Sequence, residues 1–414
     1  MAILFKSLKL IQGDSILAPQ DYVFDGGILR PLEGEDEKFD EVVDVSNWLA
    51  SEGWIDLRCG VGEPGFEYQE TFESLGESLK YSGFTQAVIM PNTEPTIQSK
   101  NEVEFVKNKV KDFLTNIHIQ GAVTKDTKGD DLTEILDINH HGVNIFGDGV
   151  VPVSNSDRMM KVLQYLQKFD GILFDQSYDP LLSIFGQMHE GYTSTALGMK
   201  GIPNLSEEVA IQKNIEILRY TGGNLHIQTV STAKGVDAIR KAKADGLNIS
   251  ADVSIYQLLF SDEDLINYDS NLKVIPPFRG ANDREAIIEG LKDGTIDAIV
   301  SNHQPKDFDS KHMEFDLAAF GMSGLQTFLP ALVKLEKVLG WPLLIQKITS
   351  GPAKVIKDES KRLSAVTLFD PNEEWSFDKK SNKSLSENSP FFNQRLTGRV
   401  KAVINKGKFV RLDD

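Results

Sequence analysis

Cysteine is nearly missing from this chain: Cys59 stands alone among 414 residues. No disulfide can close within the chain and no Cys-based zinc cluster can form. Cys59 itself reads as a small residue near a strand end, since no histidine lies close in sequence to activate it. Positive charge is in deficit too, with 44 Lys and Arg against 61 Asp and Glu for a formal net charge of −17. The cations are scattered singly or in pairs among carboxylates, which argues against a phosphate-tracking surface and against nucleic acid as a partner. No apolar run reaches the roughly 18 residues of a membrane-spanning helix. Met1 to Gly13, interrupted by Lys6 and Lys9, lacks a signal peptide's apolar segment. A cytoplasmic protein without membrane contact is expected.

Hydrophobic residues make up 40% and charged residues 25%, the balance of a globular protein able to bury a large core. The length suits about two or three ordinary domains, or one α/β barrel with a small satellite. Up to Glu52 the chain reads as strands and turns: Phe5 to Ile11, Asp21 to Leu29 broken by Gly26 and Gly27, an acidic turn Glu33 to Glu37, and Glu41 to Val45. From Gly53 the pattern changes. Short apolar strands alternate with amphipathic helices, from strand Trp54 to Leu57, helix Thr71 to Tyr81 and strand Gln86 to Met90 through to strand Ala298 to Ser301 and helix Leu325 to Leu339. That order implies right-handed βαβ units and a parallel sheet.

The spacing predicts an α/β fold, a (β/α)8 barrel of the TIM type over residues 53–355. Residues 1–52 and 356–414 are expected to pair into one small β-sandwich domain built from both chain ends. The polar stretch Asp378 to Ser389 is the one candidate for local disorder.

Such a barrel carries its functional groups at the C-terminal ends of its strands. There the sequence places Asp56 through Gly65, Met90-Pro91-Asn92-Thr93-Glu94-Pro95, Phe146-Gly147-Asp148-Gly149, Phe174-Asp175-Gln176-Ser177, His226 through Thr232, and Ser301-Asn302-His303-Gln304-Pro305-Lys306. Further stretches follow in order: Glu190-Gly191, Gly201-Ile202-Pro203, Val274 to Arg279, Gly294 to Ile299, Gly321 to Leu325 and Leu368-Phe369-Asp370-Pro371. Together they make a chain that resembles the class I dihydroorotases of the amidohydrolase superfamily. The resemblance implies an amidohydrolase barrel, a place in pyrimidine biosynthesis, a zinc centre and hydrolysis of a cyclic amide.

At the residues that do the family's chemistry the pattern departs. In the family a His-x-His pair after the first strand binds zinc, and an arginine two positions on holds the substrate carboxylate. Here those positions are Arg58, Gly60 and Gly62. The next two metal histidines correspond to Gln176 and Thr229, and the catalytic aspartate to Asn302. A guanidinium keeps its proton and cannot ligate a cation, and glycine has no side chain. Amide and hydroxyl oxygens are weak zinc ligands, and an amide is no general base. Asp148 is the candidate remnant of the family's metal-binding carboxylate position. Neither zinc nor another cofactor is therefore expected. The groups left to hold a ligand are Asn92, which bonds the substrate carboxylate in the family, with Arg58, His303 and the backbone at Gly324.

Simpler readings stand beside these. His226 reads as a satisfied core histidine, Asp148 as a turn former beside glycine, and His140-His141 as contacts to a helix C-terminus. His118, His189 and His312 have no partner at metal spacing. Three functions compete. The first is an inactive subunit, structural or regulatory, that forms a homodimer as relatives do and by resemblance assembles with aspartate transcarbamoylase or an active dihydroorotase. The second is a residual or altered cyclic amide hydrolase using Asp148, His226 or His303. The third is a sensor in which Arg58 and Asn92 hold a carboxylated pyrimidine precursor. Arg58 discriminates: pointed into the barrel it favours a bound anion, and tied to Glu63 or Asp56 it merely fills the site.

Overall fold

The computed structural model describes residues 2–34, 38–358 and 363–412. The expected acidic turn Glu33 to Glu37 therefore falls partly outside the described residues. Eight parallel strands form the barrel in chain order: Trp54–Cys59, Phe84–Ile89, Asn116–Gly121, Ile145–Phe146, Ile172–Asp175, Leu225–Ile227, Ile249–Ser254 and Ala298–Val300. A parallel bridge between Cys59 and His303 closes the ring, with the Gly60 N–H donating to the His303 carbonyl at 2.7 Å. Amphipathic helices return the chain between strands. The first, Phe72–Tyr81, is held by a Thr71/Ser74 capping box and buries Phe72, Leu75 and Leu79 against the sheet.

The lower half of the barrel is packed with apolar side chains, among them Ile55, Leu57, Val88, Ile172, Phe174 and Val300, with Val355 in the same cluster. Val355 belongs to helix Ser350–Ile356, which with Trp341–Ile348 was not expected from the pattern. Local signals for that second start do exist. Gly340, at φ +74°, ends helix Phe328–Leu339, and Pro342 stands in the first turn of the next helix.

The β domain uses both chain ends. Its first strand, Ile3–Gln12, turns at Ser7 (φ 59°), where its pairing shifts register. Before Ser7 it pairs with Tyr22–Phe24 and Glu41–Asp44; beyond it Leu8 still meets Gln20, while Lys9 and Leu10 pair with Leu49–Glu52, which in turn pairs with the long strand Val366–Phe377 and through it with Gln394–Asn405. A strand that passes from one layer to the other at a bulge makes the corner of a sandwich. Phe409, from the last strand, closes the layers against Phe5 with ring centroids 5.4 Å apart.

The polar stretch Asp378 to Ser389, expected as a candidate for disorder, is folded against the barrel together with the residues up to Asn393. It lies across the barrel mouth, where Asn388 donates to the carbonyls of Gln304 and Gly321 and accepts from the Lys306 N–H and the Ser323 hydroxyl. Ser386 Oγ donates to the Gln69 carbonyl at 2.7 Å, and Ser384 bonds the buried Glu70 carboxylate. Its polar composition serves hydrogen bonds to loop backbone that would otherwise be buried without partners.

Candidate functional site

Alternation along the first strand would turn Arg58 away from Leu57, toward the helices. Between Asp56 and Cys59 the register with the second strand slips, so that Asp56 faces Ala87 and Cys59 faces Ile89. This bulge turns Arg58 into the barrel above Leu57, where it is 0% exposed. Its Nε donates to Asn302 Oδ1 at 2.9 Å, Nη1 to Gln228 Oε1 at 2.7 Å and Nη2 to Gln176 Oε1 at 2.6 Å. The remaining N–H groups reach the Gly149 carbonyl at 3.4 and 3.5 Å. All of the guanidinium's donors thus meet protein acceptors. Burial pulls Arg58 down to about 10, opposed by the charge of Asp252, and the group remains a cation at neutral pH.

Arg58 does point into the barrel and is not tied to Glu63, yet it offers no free donor to an anion. The expectation that it holds a ligand carboxylate is corrected on that count. Asn92 is committed as well: its Nδ2 donates to the Asp148 carbonyl and its Oδ1 accepts from Val150 N–H, both at 3.0 Å. That clasp needs glycine at 149, where φ is +65° and a Cβ would stand 1.8 Å from Asn92 Oδ1. His303 accepts the Gly324 N–H at its Nδ1 and places Nε2 3.5 Å from Glu70. Gly324 in turn gives its carbonyl to the Tyr256 hydroxyl, so neither backbone group is left to line a pocket.

Asp148 is not among the partners of Arg58. Its carboxylate accepts from the N–H groups of Val123 and Thr124 at 2.9 and 3.0 Å and from the Thr124 hydroxyl, and burial raises it to about 6. His226 sits between Ser250 Oγ (2.8 Å) and Asp252 Oδ2 (2.9 Å), with the Phe174 ring tilted against it at a centroid distance of 4.4 Å. Thr229 and Asn302 adopt φ of 52° and 47°, and the Thr229 hydroxyl has no partner. The Nε2 groups of Gln176 and Gln228 are also unpaired. The cavity that these three residues line with Ile275 and Pro276 is only about 10 Å³, room for about one water. A cleft of about 680 Å³ opens farther out, beside Lys306, Lys311 and Asn388, but Arg58, Gln176, Thr229 and Asn302 do not line it.

Sequence reasoning gave no role to Gln228, Glu70 or the Gly149 carbonyl. Gln228 immediately precedes Thr229 at a strand end, and that position was the available signal.

Comparison with known proteins places this geometry. A family model described as dihydro-orotase-like matches residues 49–235. A dihydroorotase of a Thermoanaerobacter species is 35% identical over 99% of this chain and 97% of its own length. The chain belongs to the dihydroorotase family. A dihydroorotase of Acetivibrio thermocellus is likewise 35% identical, over 97% of this chain and 98% of the relative. The L-hydantoinase (dihydropyrimidinase) of Arthrobacter aurescens superposes with a TM-score of 0.87 over 99% of this chain and 96% of its own, at 19% identity, which speaks to the fold.

Within the dihydroorotase family, zinc is the implied resident metal, and the side chains here do not fit it. A guanidinium stands among the degenerate ligand positions, with Gln176 and Asn302 turned to it as acceptors. Among the described residues no three His, Cys, Asp or Glu side chains form a group that could hold a metal ion. Gly62, where the resemblance places a substrate-binding arginine, has no space for any side chain, since a Cβ would lie 2.1 Å from the Phe66 carbonyl. At Gly60 a Cβ would meet the His303 carbonyl at 3.0 Å.

Proposed function

We propose that this protein is a catalytically inactive member of the dihydroorotase family that serves pyrimidine biosynthesis in the cytoplasm as a structural or regulatory subunit. One observation carries the reading: the buried Arg58 guanidinium bonds Gln176, Gln228 and Asn302 across the barrel mouth. A fixed cation there supplies no activated water. Asn302 cannot take a proton from one, and a cavity of about 10 Å³ admits no cyclic substrate, small-molecule sites being roughly 300–1,000 Å³. The sensor reading loses support by the same geometry, because the donors of Arg58 and Asn92 are already engaged. The partners that the resemblance implies are a second copy of the chain, aspartate transcarbamoylase or an active dihydroorotase.

The test is the rate of ring opening of dihydroorotate and of ring closure of carbamoyl aspartate by the purified full chain, with zinc counted by mass spectrometry after zinc addition. No turnover above a protein-free sample and no stoichiometric zinc are expected. Turnover that disappears in Asp148→Asn or His303→Ala overturns the reading.

A further inference from the structure

Gln176 and Gln228 follow the fifth and sixth barrel strands side by side, with the Gln228 N–H donating to the Asp175 carbonyl at 2.9 Å. Each turns its Oε1 onto Arg58. A guanidinium only donates, so the contact fixes which end of each amide is oxygen, and both Nε2 groups point away from the cation. Both glutamines and Thr229 line the cavity of about 10 Å³, and Arg58 does not, so the amide ends that face it are the nitrogens. Neither Nε2 has a partner among the described residues, nor has the Thr229 hydroxyl, and the three residues are 3%, 1% and 1% exposed. Four amide N–H and one O–H are thus buried at one spot, where donors are rarely left unsatisfied. Thr229 reaches it at φ 52°, a conformation that β-branched residues avoid and that strained functional positions retain.

We infer that these three donors hold a buried monovalent anion of halide size, chloride being the available one in a cell. The balance of donors and acceptors separates it from a water. A water must donate as well as accept, and the only unpaired side-chain oxygen on the wall is the Thr229 hydroxyl. A halide accepts from all three groups and donates nothing. The field has the right sign too. Arg58 is bonded only to neutral groups, on Gln176, Gln228, Asn302 and Gly149. Two amide dipoles with their negative ends on that cation present their positive ends to the cavity. Asp252 and Asp175 offset the guanidinium through space, but Asp252 is bonded to His226 and the Thr229 N–H, and Asp175 to Val153, Ser177 and Asn214. Glu207 is the one carboxylate on the wall. It accepts the N–H and hydroxyl groups of Ser231 and Thr232 and faces Arg279 at 3.9 Å, so its charge is met from its own side. A single ion little larger than a water fits the volume, and a carboxylate or phosphate does not. The site goes beyond the subunit reading and needs nothing from it.

The test is the thermal midpoint of the full chain, dialysed into sodium gluconate and titrated with sodium bromide at constant ionic strength. The midpoint should rise by about 1–2 °C for each tenfold increase of bromide above its dissociation constant. Thr229→Val keeps the branched shape and removes the O–H, and its bromide affinity should fall about tenfold or more. Crystals of the parent chain grown in bromide should show an anomalous scattering peak within hydrogen-bond distance of both Nε2 groups. A midpoint that follows ionic strength alone, a response undiminished in Thr229→Val, or a water at that position in the bromide crystals overturns the inference. The parent chain alone decides two of these outcomes, so they hold even if the variant fails to fold. Dihydroorotate turnover by the same sample would overturn inactivity and leave the anion site standing.

Discussion

Arg58 and Asn302 lie 244 residues apart in the chain and meet inside the barrel, the Nε–H of one donating to the Oδ1 of the other at 2.9 Å. The family resemblance makes these two positions a metal ligand and a catalytic carboxylate. Here the first position carries a fixed cation and the second a neutral acceptor. The pair joins the first strand to the loop after the eighth, so it also ties the seam of the barrel.

Removal of that cation should be costly. In Arg58→Met the acceptors on Gln176, Gln228, Asn302 and Gly149 lose their donor together, and a loss of about 3–5 kcal/mol is expected. Arg58→Lys keeps the charge but not the planar fork, for an expected loss of about 1–3 kcal/mol. Urea unfolding at neutral pH measures both.

Asn302→Asp places a carboxylate 2.9 Å from the Arg58 Nε. The new charge-assisted bond should stabilise by about 1 kcal/mol at neutral pH. The aspartate's folded pKa is held down by the guanidinium, so the gain is present above about pH 4 and disappears as pH falls through the folded value. Zinc content should stay at background, since Arg58 still occupies the site. A destabilised variant at pH 7 would count against the cationic centre.

Asp56 should impose the opposite slope. Burial lifts its carboxyl to about 7 although Ser301 donates to it from both N–H and hydroxyl. Between about pH 4, the unfolded value, and pH 7 the folded chain keeps a proton that the unfolded chain releases. Its contribution to stability therefore falls as pH rises through that window and levels off above it. Asp56→Asn removes the effect. Denaturation midpoints from pH 4.5 to 7.5 should show the parent losing ground to the variant by a few kcal/mol as pH rises, and parallel curves would contradict this.

The segment over the barrel mouth should be rigid. In hydrogen exchange, the Ser323 and Lys306 amides, bonded to the Asn388 carbonyl and side chain, should be protected to nearly the same extent as barrel strands. Asn388→Ala leaves several buried groups unpaired, with an expected loss of about 2–4 kcal/mol. Rapid exchange there in the parent chain would restore the expectation of disorder.

The sequence by itself determined the architecture. Alternating strands and helices from Trp54 to Leu339 are written in hydrophobic periodicity, a local property, and the replacements at Arg58, Gly60, Gln176, Thr229 and Asn302 are visible residue by residue. Helices Trp341–Ile348 and Ser350–Ile356 lie beyond that periodicity, though Gly340 and Pro342 mark a boundary between them and the helix before. What only the tertiary structure decided is where side chains aim. A bulge after Asp56 reverses the direction of Arg58, and no single-strand pattern reports a bulge, because it exists only against a partner strand. Asn92, Asp148 and the Nδ1 of His303 read as available for a ligand from composition, which gives donors and acceptors without their partners; of these three residues only His303 keeps a buried ring nitrogen, Nε2, without a hydrogen bond. Those partners come from loops 21 to 56 residues away along the chain, and the polar segment 378–393 became ordered for the same reason. Hydrogen-bond satisfaction is settled by what folding brings near, and that is long-range.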